Sequence, residues 1–134
     1  MKGLKVTKLQ EINSNGSIIV SEIKKNFDFL SQRFFFVKGK KNDIRGNHAH
    51  KNQKQFMVCI TGSVILKFND GLKDEEVVLN NPLIGIEVAP LIWGTQTYLE
   101  DNTILMVLCD QIYDESDYIR DYCQFKKYLE LKIR

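Results

Sequence analysis

The residues best equipped for chemistry in this chain are its two histidines. They stand together in Arg45-Gly46-Asn47-His48-Ala49-His50, with Gln55 a few residues on. On a strand, residues two apart project to the same face, so both imidazoles would enter one cavity. In a loop they would be a solvated pair, and spacing alone leaves both readings open. An imidazole titrates near 6.5, so it takes and returns a proton near neutral pH with little penalty. Positioned acid–base help of this kind is worth roughly 10²–10⁴-fold in rate. Charge developing on a substrate oxygen would need a donor or cation nearby, and Arg45 stands two residues before Asn47 on the approach to the pair.

The elements that must hold these groups read as strands. Short runs rich in β-branched and aromatic residues recur at 4–9, 16–22, 33–38, 55–61, 63–69, 75–79, 85–89, 95–100 and 103–110. Turn residues punctuate them, among them Asn15-Gly16, Thr61-Gly62 and Asn80-Asn81-Pro82. Asp70-Gly71 is a strong hairpin signal because both residues tolerate positive φ. Strands at this spacing imply an all-β sandwich or barrel. The tail differs: 114–134 has apolar residues near helical spacing with no glycine or proline, predicting one or two short helices. Its acidic start reads as a solvated helix start, since acidic residues in a first turn suit the helix dipole. In Phe34-Phe35-Phe36, alternation puts Phe34 and Phe36 on one face and Phe35 on the other. A strand apolar on both faces suggests cover by another strand or a subunit. Residues 1–134 read as one domain, with no internal repeat or linker.

Composition narrows the function classes. Of 134 residues 43% are hydrophobic and 27% charged, enough for one core and a well-solvated surface. Nineteen basic against seventeen acidic residues are too balanced to argue for nucleic acid or an anionic membrane. Cys59, Cys109 and Cys123 form no CxxC pair and no zinc-like cluster. The first two lie in apolar runs, so buried, reduced thiols in a cytoplasmic protein are expected. The N-terminus lacks the apolar core of a signal peptide, and no run approaches a membrane span.

The histidines, the four-residue gap to Gln55 and the closing Gly62 resemble the first cupin motif, although Asn42 stands where its leading glycine is expected. Gly85 to Gly94, with Pro90, is similar to the second motif, shorter by one residue. Two departures bear on the chemistry. Gln55 replaces the carboxylate ligand of a metal cupin, and Gly94 and Thr95 stand where a third histidine would be. Two imidazoles and a neutral amide are a poor ligand set for a transition metal, so no metal cofactor is expected and the histidines are free for proton transfer.

A wider resemblance carries further. Arg33-Phe34-Phe35-Phe36-Val37, Arg45-Gly46-x-His48-Ala49-His50-Lys51, Val58-Cys59-x-x-Gly62, Pro90-x-x-Trp93 and Tyr113-Asp114-Glu115-x-Asp117-Tyr118-Ile119-Arg120-x-Tyr122 are similar to the sugar 3,4-ketoisomerases. The likeness runs from about residue 4 to 128. It implies an all-β cupin jelly roll with a short C-terminal helical tail, usually dimeric and without a metal. The implied substrate is dTDP-4-keto-6-deoxyglucose, on the route to dideoxy-amino sugars of surface glycans such as lipopolysaccharide or S-layer. His48 and His50 would then be catalytic, enolising the sugar and returning the proton to the neighbouring carbon.

The implied substrate also gives the other candidates a role. Arg33 is either a surface cation at a strand start or a ligand of the diphosphate; Arg45 suits phosphate or a sugar oxygen. Gln55 is either an outward polar residue or an inward hydrogen-bonder beside the histidines. Trp93 is either core or a wall of the sugar pocket. Relatives tend to carry tyrosine within the Phe34–Phe36 run and histidine at Gly94, and both departures alter the expected site. Two rivals remain. A 3,5-epimerase would carry a DxRG segment where this chain has Asn13-Ser14-Asn15-Gly16. A sugar-nucleotide-binding cupin would use the histidines for hydrogen bonding alone.

Overall fold

The structure, a computed structural model, describes residues 1–133. Its strands are β1 (Leu4–Lys8), β2 (Gln10–Asn13), β3 (Ser17–Val20), β4 (Arg33–Gly39), β5 (Ile44–His50), β6 (Gln55–Thr61), β7 (Val64–Asn69), β8 (Asp74–Leu79), β9 (Ile84–Val88), β10 (Trp93–Tyr98), β11 (Thr103–Cys109) and β12 (Tyr118–Ile119). One helix, α1 (Tyr122–Ile133), follows. The strands form two five-stranded sheets, ordered β1-β9-β6-β11-β4 and β12-β5-β10-β7-β8, with β2 and β3 as a separate hairpin. This is the expected all-β cupin with a C-terminal helix.

Alternation builds the core. Along β11, Thr103, Leu105, Val107 and Cys109 are buried while the residues between them are only partly so. Leu66 and Phe68 of β7, and Met57 and Cys59 of β6, meet them between the sheets. Cys59 and Cys109 are free and buried, and burial pushes the Cys59 thiol up to about 11. Asp70-Gly71 turns β7 into β8, with Gly71 at φ 97° and the Asp70 carboxylate accepting from the amides of Leu72 and Lys73. Gly62 closes the β6–β7 turn at φ 80°, where a Cβ would clash with Thr103 Oγ1.

Three local readings change. The stretch before Asn15 is itself a strand, β2, paired with β3 around Asn15 and Gly16, both at positive φ. β5 has little β-propensity and is a strand because β10 pairs with one edge and β12 with the other. The tail is not helical from residue 114. Asp114 caps a single 3-10 turn, Glu115–Asp117, by accepting from the Ser116 amide, and Tyr118–Ile119 then pair with His50 and Ala49. The helix begins only after Asp121, whose carboxylate accepts from the Gln124 amide. Arg134 lies outside the described residues. Among the described residues no helix is long and apolar enough to cross a membrane.

Candidate functional site

β5 carries a bulge where it meets β10. Gly94 pairs with His48 and Thr95 with Gly46, so Asn47 has no partner. Gly46 and Asn47 both take positive φ, 88° and 57°, and Asn47 accepts from the Thr95 hydroxyl. A bulge bends its strand and re-aims the side chains beside it. Past it, His48 and His50 project to the same side, with ring centroids 5.0 Å apart and planes 85° to each other. Ala49, between them, faces the other way and packs under Phe125 of α1.

The two imidazoles differ in their partners. His50 is buried, and its Nδ1 lies 3.1 Å from Asp117 Oδ2. Asp117, itself buried, also accepts from the Asn52 and Gln53 amides, so the loop after β5 and the 3-10 turn are tied through one carboxylate. The other nitrogen, Nε2, faces Gln53 Nε2 at 3.4 Å. Burial, with the neighbouring His48, lowers the His50 pKa to about 4 against the pull of Asp117. His48 is also lowered by burial. Its Nδ1 is buried without a well-directed hydrogen bond, and the Gly46 backbone beside it pulls the pKa up against burial. The Tyr118 ring sits 5.0 Å from His48 and 4.4 Å from His50, and the Arg120 guanidinium lies over that ring at 4.3 Å. Arg120 is held by two bonds to Glu115, which keep that carboxyl down at about 2.

Two neighbouring spaces open on this pair. A narrow inner one of about 30 Å³ runs into the barrel between His48, His50, Gln53, Gln55, Met57, Phe68 and Gly94. A wider outer cleft of about 380 Å³ is lined by Phe35, Val37, Arg45, His48, Gln55, Gln96, Tyr118 and Arg120. His48, Gln55, Gly46 and Gln96 border both. Apolar walls, a few convergent polar groups and two perturbed histidines are the makings of a small-molecule site.

Four of the six sequence-derived residues therefore meet here: His48, His50, Gln55 and Arg45. Arg33 stands one step behind, donating from Nη2 to Gln53 Oε1 at 3.1 Å and lying over the Phe35 and Tyr113 rings. Trp93 is elsewhere; it packs on Tyr122 and Phe125 beneath the helix. Gly94 leaves space beside His48, since a Cβ there would meet nothing nearer than the Phe68 ring at 3.7 Å. The phenol wanting at Phe34–Phe36 is present from another direction, as Tyr118. Of the residues that spacing did not single out, Gln53 carried no signal beyond its closeness to the histidines. Asp117, Tyr118 and Arg120 lay in the tail motif, where an acidic run reads equally as a solvated helix start. Among the described residues no group of three His, Cys, Asp or Glu stands close enough to hold a metal ion.

A family model described as FdtA, WxcM-like, C-terminal, matches residues 2–130. A TDP-4-oxo-6-deoxy-α-D-glucose-3,4-oxoisomerase of Aneurinibacillus thermoaerophilus is 38% identical over 119 residues, 88% of this chain and 86% of that one. The solved structure of QdtA, a sugar 3,4-ketoisomerase from Thermoanaerobacterium thermosaccharolyticum in complex with TDP, superimposes with a TM-score of 0.93 at 27% identity, covering 100% of this chain and 99% of that one. A 3,4-ketoisomerase from Helicobacter canadensis gives 0.91 at 32% identity, over 95% and 97%.

Proposed function

This chain belongs to the FdtA, WxcM-like C-terminal family, and from that premise we propose that it is a sugar 3,4-ketoisomerase acting on TDP-4-keto-6-deoxyglucose. The reaction balances without a redox partner. A base removes the C3 proton, the electron pair forms a C3–C4 double bond, and charge moves onto O4. O4 is protonated, the O3 proton leaves as the C3 carbonyl forms, and C4 receives a proton. One observation carries the assignment of roles: of two imidazoles on one strand face, one borders both spaces while the other has each ring nitrogen facing a partner. His48 is the base, and His50 orients it. The cations at the outer cleft, Arg45 and Arg120, suit the diphosphate, with Gln55 and Tyr118 left to hold sugar hydroxyls.

The protein works as a homodimer. Phe34 and Phe36 of β4 are 61% and 54% exposed, and the hairpin presents Ile12, Ile18 and Ile19 to solvent. Beside them runs an apolar groove of about 540 Å³ lined by Leu9, Ile19, Ile23, Ile60, Met106 and Leu108. A two-stranded hairpin is marginal in water without cover, and contiguous exposed apolar side chains of this kind favour association. Unpaired thiols suit a reducing cytoplasm. The product would feed dideoxy-amino-sugar synthesis for a surface glycan.

The test is an NMR-followed reaction with TDP-4-keto-6-deoxyglucose in deuterated water, with a C3 aminotransferase to trap the product. Carbonyl signal at C3 and deuterium at C3 or C4 are expected; a protein that only binds the sugar gives neither, and that result would reject the reading.

A further inference from the structure

The hydrogen-bond polarity around His50 has only one consistent solution. The Arg33 guanidinium can only donate, so the Gln53 atom 3.1 Å from its Nη2 must be the amide oxygen. The Gln53 nitrogen is thereby turned to His50 Nε2, 3.4 Å away, and an amide NH₂ can only donate. His50 Nε2 must then offer its lone pair. The ring proton of the neutral imidazole sits on Nδ1, facing the Asp117 carboxylate, which only accepts. A second proton on His50 would have to go to Nε2, against the Gln53 donor.

We propose that Gln53, oriented by Arg33, is a positioning residue that keeps His50 uncharged, so that the proton taken from substrate lodges on His48. The proposal rests on the ketoisomerase reading and adds a device to it. Two imidazoles 5.0 Å apart do not readily carry charge together. Whichever is easier to protonate becomes the base, and the Gln53 amide decides between them. The titratable and charged groups facing His50 are His48 on β5, Arg33 on β4, and Asp117 and Tyr118 from the tail; α1 packs on the opposite face of the strand. Of these Asp117 alone favours a charged His50. Arg33 opposes it both through Gln53 and through its own charge. Gln53 is buried beside the ring, so no bulk water replaces its donor.

The experiment titrates both imidazoles by ¹⁵N NMR in the wild type, Gln53→Glu and Gln53→Met, and measures kcat and KM on the same samples. Gln53→Glu replaces the donor by an acceptor. His50 is expected to become an imidazolium near neutral pH, and kcat to fall by roughly tenfold or more, with KM little changed. Gln53→Met removes the donor without adding an acceptor and should raise the His50 midpoint less. Should Gln53→Glu not fold, Gln53→Met is decisive alone. A His50 midpoint unmoved in the folded variants overturns the proposal, and so does a charged His50 with undiminished kcat. A wild type that turns over no sugar overturns the proposed function instead, while its His50 titration still reports on the Gln53 contact.

Discussion

At the scale of single residues the site depends on keeping two imidazoles neutral in a partly dry wall. His50 shows the cost of that arrangement in its pH dependence. An unfolded histidine binds a proton near 6.5, whereas the folded His50 does so only near 4. Between those values the unfolded chain holds the extra proton. Stability is thus fully present above about 6.5 and falls as the pH is lowered toward about 4. His48 contributes in the same direction. Urea unfolding at several pH values across that window is expected to show the decline; a flat profile would mean that the rings are charged in the folded state. For catalysis, His48→Asn is expected to lower kcat by about 10²–10⁴-fold with an unchanged melting temperature, because the buried His48 Nδ1 makes no well-directed hydrogen bond to lose. Retention of the wild-type rate in this variant would remove His48 from the base role.

At the scale of elements, the bulge in β5 does the aiming. Gly46 sits at φ 88°, and a Cβ there would meet the Gly94 carbonyl oxygen at 2.9 Å, which is backbone and cannot swing away. Gly46→Ala is expected to cost about 2 kcal/mol in strain. Because the following residues are re-aimed, it should also lower kcat/KM by roughly 10²-fold in protein that remains folded. Asn47→Gly keeps the left-handed conformation open and should change stability by no more than about 1 kcal/mol. Denaturation midpoints and rates for the pair check this: equal behaviour of the two variants would mean that the bulge does not set the histidine geometry. The tail acts as a second positioning element. β12 pairs along the same edge of β5, and the 3-10 turn before it delivers Asp117 to His50. Helix α1 then buries Phe125 against Ala49 from behind.

At the scale of the whole molecule, the cleft and the exposed apolar stretch of β4 lie on different faces of the barrel. The histidines, Gln55, Arg45 and Arg120 open on the cleft, while Phe34 and Phe36, on the other face of the strand that contributes Phe35 to the cleft, stack edge-to-face at 5.9 Å on the outside. Sedimentation equilibrium is expected to give twice the mass of one chain. Phe36→Lys should shift the protein toward monomer by placing a charge in the apolar stretch. A wild type that is monomeric at micromolar concentration would leave that face without the proposed partner.

Much of this molecule was legible before any fold was drawn. The period-two pattern of β11 and the Asp70-Gly71 turn follow from local geometry, because strand alternation and the φ preferences of Gly and Asp need no distant partner; the His48–His50 spacing marked the candidate pair but left its strand or loop setting open. The cupin motif likewise pointed to Gln55, and the adjoining Arg45 to a cation at the mouth. What the linear chain left open is whatever depends on pairing between distant segments. β5 is a strand because β10 and β12 border it. Tyr118 is a strand residue and not a helical one because the edge of β5 satisfies its backbone better than an acidic first turn would. Trp93 had two plausible places, and only the docking of α1 put it against Tyr122 and Phe125. Asp117, Gln53 and Arg33 acquire their roles only when segments from β4, the β5–β6 loop and the tail converge on one imidazole. That convergence is set by packing and hydrogen-bond polarity in three dimensions, to which residue spacing along the chain carries no guide.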